Sequence, residues 1–144
     1  MADEIKTFDV SLVTPDGAVY EGSVEMLVVP GAAGEIGVLA RHAPLVATLK
    51  AGSTRVYLDR AKDELLEFAT GPGFFKVEAD RAIALVDDAV NAKEIDDERA
   101  QQQLEEATRE LERVEAGESR ADRWQLEQRI KHAENQLRVS GHGG

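Results

Sequence analysis

Ala82-Ile83-Ala84-Leu85-Val86-Asp87-Asp88-Ala89-Val90 runs directly into Asn91-Ala92-Lys93-Glu94-Ile95-Asp96-Asp97-Glu98-Arg99-Ala100, and the period of the chain changes across that boundary. Up to Val90, apolar residues alternate in short runs broken by Gly, Pro and Asp. Beyond it they recur every three or four residues, in two stretches separated by Gly117. A two-residue period builds strands and a 3.6-residue period builds helices, so no single packed layer suits both halves. The expected architecture is an N-terminal antiparallel β-sandwich over residues 1–90, an antiparallel helical hairpin over 91–139 and a flexible polar tail at 140–144.

Working back from the boundary, Phe8, Val10 and Leu12 alternate with polar residues as a first strand. Pro15-Asp16-Gly17 then makes a turn, because Pro presets its φ and Gly accepts a positive one. Ala18-Val19-Tyr20 opens a second strand. Val24, Met26 and Val28 are expected on one face of a third strand, with Leu27 and Val29 on the other, as in a sandwich core. Further strands are expected at Glu35–Leu39, Leu45–Leu49, Thr54–Asp59, Glu64–Ala69, Phe74–Glu78 and Ala82–Val86. Ala79-Asp80 is a tight link that makes the last two a hairpin. Many short strands with regular turn signals point to a sandwich or barrel. Val56-Tyr57-Leu58 and Ile83-Ala84-Leu85 are expected in its core.

Composition narrows the function. The net charge of −11 disfavours nucleic acid and anionic membrane surfaces as partners. Without cysteine, disulfides, thiolate zinc sites and thiol catalysis are excluded. No apolar run approaches the ~18 residues of a membrane span, and the polar, acidic stretch from Met1 to Lys6 lacks the pattern of a secretory signal. His42, His132 and His142 are scattered and form no ligand pair, so no metal site is expected. Asp87-Asp88 and Asp96-Asp97 are carboxylate pairs. Adjacent strand positions would separate the first pair, and helix capping accounts for the second. No Ser or Thr stands in a nucleophile motif. No catalytic residue is assigned.

Between Gly31 and Gly37 the chain packs three glycines into seven residues, followed by Arg41-His42-Ala43-Pro44-Leu45. The phosphate-binding motifs are absent, since no Gly-Lys-Ser/Thr follows and a strand pattern comes where a helix is required. The glycines suit a tight turn or an edge bulge. Gly34-Glu35-Ile36-Gly37-Val38-Leu39 with His42-Ala43-Pro44-Leu45 resembles the signature of the epsilon subunit of bacterial F-type ATP synthase. Val24 to Gly31, Gly71 to Val77, Ala84 to Ala89 and Ile95 to Ala100 resemble other segments of that family, in order and in register. The resemblance implies a non-catalytic part of the rotating central stalk, bound to the gamma subunit and the c-ring, that helps couple proton flow to ATP synthesis. It implies Glu35 and His42 as contacts with those partners, and contact with the alpha/beta catalytic head if the hairpin extends to oppose hydrolysis. It also implies a place at the cytoplasmic face of the bacterial inner membrane, held there only through the complex.

In the helical half, Asp96 stands at an N-cap position. Leu104, Ala107, Leu111 and Val114 form one stripe, Gly117 breaks the helix, and Leu126, Ile130, Ala133 and Leu137 form a second stripe. Ser119 is expected to cap the second helix. Trp124 lies off the stripe and is expected to pack on the β-domain, with a partner contact as its other use. The narrow stripes predict a thin seam, which leaves two readings open: a permanently folded hairpin, or packed and extended forms close enough in free energy for a partner to shift the balance. Some epsilon subunits bind ATP at the hairpin through Ile-Asp-x-x-Arg-Ala, which Ile95, Asp96, Arg99 and Ala100 match. The accompanying carboxylate position is Val90, and the two basic positions are His132 and Gln136. A phosphate is held by permanent cations, so the match implies at most weak ATP binding and no resident cofactor. The rival readings are a free-standing ATP-sensing module and a small hydrolase working through a carboxylate pair.

Overall fold

The alternation at Phe8 becomes a strand in the computed structural model, which describes residues 6–142. Strand β1 (Phe8–Thr14) buries Phe8, Val10 and Leu12 and turns Asp9 outward. It is followed by β2 (Gly17–Val24), β3 (Met26–Gly31), β4 (Gly34–Leu39), β5 (Leu45–Leu49), β6 (Gly52–Asp59), β7 (Glu64–Thr70), β8 (Gly73–Glu78), β9 (Arg81–Val86) and β10 (Ala89–Asn91). Hydrogen bonding runs in the order β10-β7-β6-β3-β5-β8-β9-β1-β2, with β4 added to β3. The link between β3 and β5 is one residue pair, Gly31 with Leu49. There the sheet folds over itself into two layers. Leu27, Val29, Val38, Val56 and Phe68 of one layer meet Val10, Leu12, Phe75, Val77 and Ala84 of the other in a single core.

Nearly every pairing is antiparallel, as the sandwich expectation holds, but β1 and β9 pair in parallel from Asp9 with Arg81 to Val13 with Leu85. Strands from opposite ends of a unit are not joined by a hairpin, so no turn dictates their direction. A second difference lies at Glu25. Val24, Met26 and Val28 do not share one strand: Val24 ends β2 opposite Phe8, whereas Met26 begins β3 opposite Tyr57 and Leu39. The chain changes layers between them. Glu25 holds that crossing, its N–H donating to Tyr57 O and its carboxylate accepting the Arg60 N–H. The glycine-rich stretch is a tight β3–β4 hairpin. A Cβ on Gly31 would stand 2.6 Å from Gly34 O, which only glycine avoids.

Asp87 and Asp88 fall past the end of β9, in the link to β10, and so are not adjacent strand residues. Their main chains pair with Pro72 and Gly71. Strand β10 has no counterpart in the expected set, because three residues are too short for a visible period.

One compact unit ends at Asn91 and the second begins at Ala92. The second comprises a 3-10 turn (Ala92–Glu94), α1 (Asp97–Glu115) and α2 (Arg123–His142). Asp96 caps α1 as expected, accepting the Arg99 N–H at 3.1 Å. Gly117, at φ +76°, ends it: Glu118 N–H returns to Arg113 O and Gly117 N–H to Val114 O, the Schellman arrangement. The cap of α2 is Asp122, whose Oδ1 accepts from Trp124 and Gln125. Ser119 does not take that role, because α2 begins only at Arg123; its hydroxyl accepts the Ala121 N–H of the link and donates to Glu110 of α1. The seam buries Ala100, Ala107, Leu126, Ala133 and Val139, while Leu104, Leu111, Val114, Ile130 and Leu137 stay half-buried. A flexible tail from Ser140 is not what the structure has. Helix α2 continues through His142, and Ser140 donates to Asp97 at the start of α1. That cross-helix bond gives the last turn a partner that no local pattern reveals. Gly143 and Gly144 lie outside the described residues, as does Met1 to Ile5.

Candidate partner interface

Glu35 sits on β4, opposite Pro30 of β3. Its Oε2 accepts from Arg55 Nη2 of β6 at 3.1 Å, with the carboxylate side chain 59 % exposed. An exposed pair of this kind contributes little to stability, roughly 0–1 kcal/mol. It does hold the carboxylate in a defined position at the surface.

His42 lies beyond the other end of β4, in the link to β5. Its Nδ1 stands 2.7 Å from Ala43 O. A carbonyl only accepts, so Nδ1 is the donor in this contact, and Nε2 is the ring nitrogen it leaves unengaged. The structure does not bring Glu35 and His42 together. From Glu35 to Leu39 alone the strand spans about 13 Å, and His42 follows after a turn in which Arg41 adopts φ +64°.

The His42 link leads into a surface that the sequence reading missed. Val46 on β5, Phe74 on β8, and Ile83 and Leu85 on β9 are all exposed, Val46 at 70 % and Phe74 at 63 %. Register places them side by side: Phe74 opposite Leu85, Leu85 beside Val13, and Lys76 between Val46 and Ile83. The expectation of Ile83-Ala84-Leu85 as core is corrected here, since only Ala84 points inward and Ile83 and Leu85 form the outer face. Likewise Val56 is buried and Leu58 is exposed. The signal was present. Alanine occupies the inward positions 82 and 84 while larger residues occupy the outward ones, the reverse of a one-sided strand. Phe74, Ile83 and Leu85 thus form an exposed apolar patch, with Val46 across Lys76 from it, and such a patch is a candidate contact surface.

Of the hairpin residues that resemble a nucleotide motif, two have structural uses. The Asp96 carboxylate is engaged in the cap, Arg99 is exposed and Ala100 is fully buried. Val90 belongs to β10, paired with Ala69, and His132 and Gln136 are half-buried on α2. Trp124 is 66 % exposed near the start of α2 rather than packed away. An open cleft of about 230 Å³ is lined by Lys6, Glu25, Leu39, Ala40 and Arg60. Its charges are mixed and Glu25 already holds the Arg60 N–H, so it concentrates no field on a ligand. Among the described residues no helix is long and apolar enough to cross a membrane, and no three potential metal ligands cluster.

Residues 7–92 match the model of the ATP synthase delta/epsilon chain β-sandwich domain. Over 96 % of its length the chain is 36 % identical to the ATP synthase epsilon chain of Shouchella clausii (strain KSM-K16), covering 98 % of that protein. The chain belongs to the ATP synthase epsilon-chain family. A second member, from Rubrobacter xylanophilus, is 36 % identical over 97 % of this chain and 96 % of its own. The fold recurs in a chain of the Euglena gracilis mitochondrial ATP synthase OSCP/F1/c-ring structure, with TM-score 0.71, 24 % identity, and coverage of 94 % of this chain and 82 % of that one. It also recurs in the Tetrahymena thermophila mitochondrial ATP synthase central stalk/c-ring structure, with TM-score 0.57, 15 % identity, and coverage of 97 % and 98 %. An epsilon chain is a subunit of the synthase and is not itself a catalyst.

Proposed function

We propose that this chain is a rotor subunit of a bacterial proton-translocating ATP synthase. It docks its outer β5-β8-β9 face and the His42 link on the gamma subunit, and presents the Glu35 end of β4 to the c-ring. The observation that carries this reading is the apolar face itself. Val46, Phe74, Ile83 and Leu85 are exposed on a rigid sheet, where burial against a shaft returns free energy without any rearrangement. Glu35, held by Arg55, supplies a polar contact that sets rotational register. Both contacts together transmit torque, because a sandwich with one continuous core resists shear. The complex holds the chain at the cytoplasmic face of the inner membrane.

The hairpin has a regulatory role in the same reading. Three of its buried seam residues, Ala100, Ala107 and Ala133, contribute only a methyl group each, so the closed form gains little from apolar burial. Contact with the alpha/beta head in an extended form then competes with the seam and opposes hydrolysis. ATP is not the trigger, because Asp96 is engaged as a helix cap and positions 132 and 136 bring no permanent cation. Affinity isolation of the tagged chain from gently solubilised membranes tests the rotor assignment. Gamma and c subunits are expected at stoichiometric levels with the wild type and strongly reduced with Val46→Asp. Undiminished recovery with the folded variant would refute docking through this face.

A further inference from the structure

The β8–β9 turn contains no glycine, yet Ala79 and Asp80 both adopt left-handed φ, at 52° and 57°. That geometry belongs to the two-residue hairpin turn usually filled by Asn-Gly. Asp tolerates it when its side chain bonds to nearby backbone. Here the carboxylate reaches elsewhere. Asp80 Oδ1 accepts the N–H of Arg41, 39 residues earlier. Arg41 is itself left-handed at φ 64° and directly precedes His42. The main chain of Asp80 is fixed from the other side, its carbonyl accepting the Asp9 N–H of β1 at 3.0 Å. Two non-glycine left-handed residues from distant loops are thus joined by one charge-assisted bond, the stronger class of hydrogen bond.

We infer that Asp80 is a positioning residue for the partner contact at His42. It clamps the backbone of the link at Arg41 and so sets where Nε2 of His42 stands relative to the apolar face. This rests on the docking role proposed above. A link ordered on folding need not be ordered on binding, which strengthens association. Without the clamp, Arg41 is free to leave its left-handed conformation, and the His42 ring moves with it.

The test uses the full chain and the gamma–c-ring rotor from which this subunit has been removed. Asp80→Gly keeps left-handed backbone accessible while deleting the carboxylate. Asp80→Asn keeps an acceptor oxygen and the tolerance of positive φ. In the isolated chain, Asp80→Gly is expected to raise amide exchange at Arg41 about tenfold, the scale of one hydrogen bond to a charged group, with the thermal midpoint nearly unchanged and Asn restoring much of the protection. On the rotor, Asp80→Gly is expected to weaken binding, and to add nothing further when combined with His42→Ala. If His42→Ala alone binds like wild type, docking at His42 is refuted and the role of Asp80 with it. If His42→Ala weakens binding while Asp80→Gly does not, or if the two losses add in full, His42 keeps its role and the Asp80 assignment alone is overturned. Unchanged exchange at Arg41 would also overturn it.

Discussion

Phe74→Thr is the sharpest probe of the apolar face. Threonine keeps the strand preference, and the side chain is mostly outside the core, so the free chain should lose no more than about 0.5 kcal/mol. Docking is a different matter. A phenylalanine side chain presents about 200 Å², and 63 % exposure leaves roughly 125 Å² to be taken from water. At about 25 cal/mol per Å² that burial is worth about 3 kcal/mol, which corresponds to roughly a hundredfold in Kd. Threonine recovers part of the area, so the expected loss lies between about tenfold and a hundredfold. The assay is titration of the purified chain against the stripped gamma–c-ring rotor, with urea unfolding of the same preparations alongside. A Kd within about twofold of wild type would refute docking through this face. A stability loss as large as the binding loss would show that Phe74 serves the fold instead.

Glu35→Arg should uncouple more than it unfolds, because it breaks an exposed ion pair and reverses the charge offered at that end of β4. ATP-driven proton pumping should fall while the thermal midpoint holds, and equal losses would reject the contact. Asp96→Ala should cost about 1 kcal/mol and fray the start of α1, read by circular dichroism. Calorimetric titration of the wild type with Mg-ATP should show no tight binding, and tight binding would revive the ATP-sensing alternative. Burial raises the Tyr20 phenol above its ordinary 10.0. The unfolded chain therefore loses that proton first, and stability contributed by neutral Tyr20 is full below about pH 10 and falls as pH climbs above it. The gap in unfolding free energy between wild type and Tyr20→Phe should shift in that alkaline window only, and a gap flat across it would contradict the burial.

Local chemistry was legible where one residue type does one job. Asp96 capped α1 and Gly117 ended it, because a cap and a left-handed turn are decided by the few residues around them. The hairpin over Ala79-Asp80 was legible for the same reason. Ser119 misled because two acceptors suited to a cap, Ser119 and Asp122, stand three residues apart, and the helix started behind the second while Ser119 bonded within the link and to Glu110. Ile83 and Leu85 misled differently. Apolar character announces burial, but it cannot distinguish burial inside the sheet sandwich from burial against another chain.

The order of the residues alone determined the two halves of this protein, its turns, and which positions alternate. Those follow from backbone sterics and side-chain period, which act over a few neighbours. Only the tertiary structure decided that the chain changes layers at Glu25, that β1 lies parallel to β9, that Glu35 and His42 stand apart, and that Asp80 grips Arg41. Each depends on which distant segments meet. That choice is made by the packing of one shared core, a property of the whole unit that no short stretch contains.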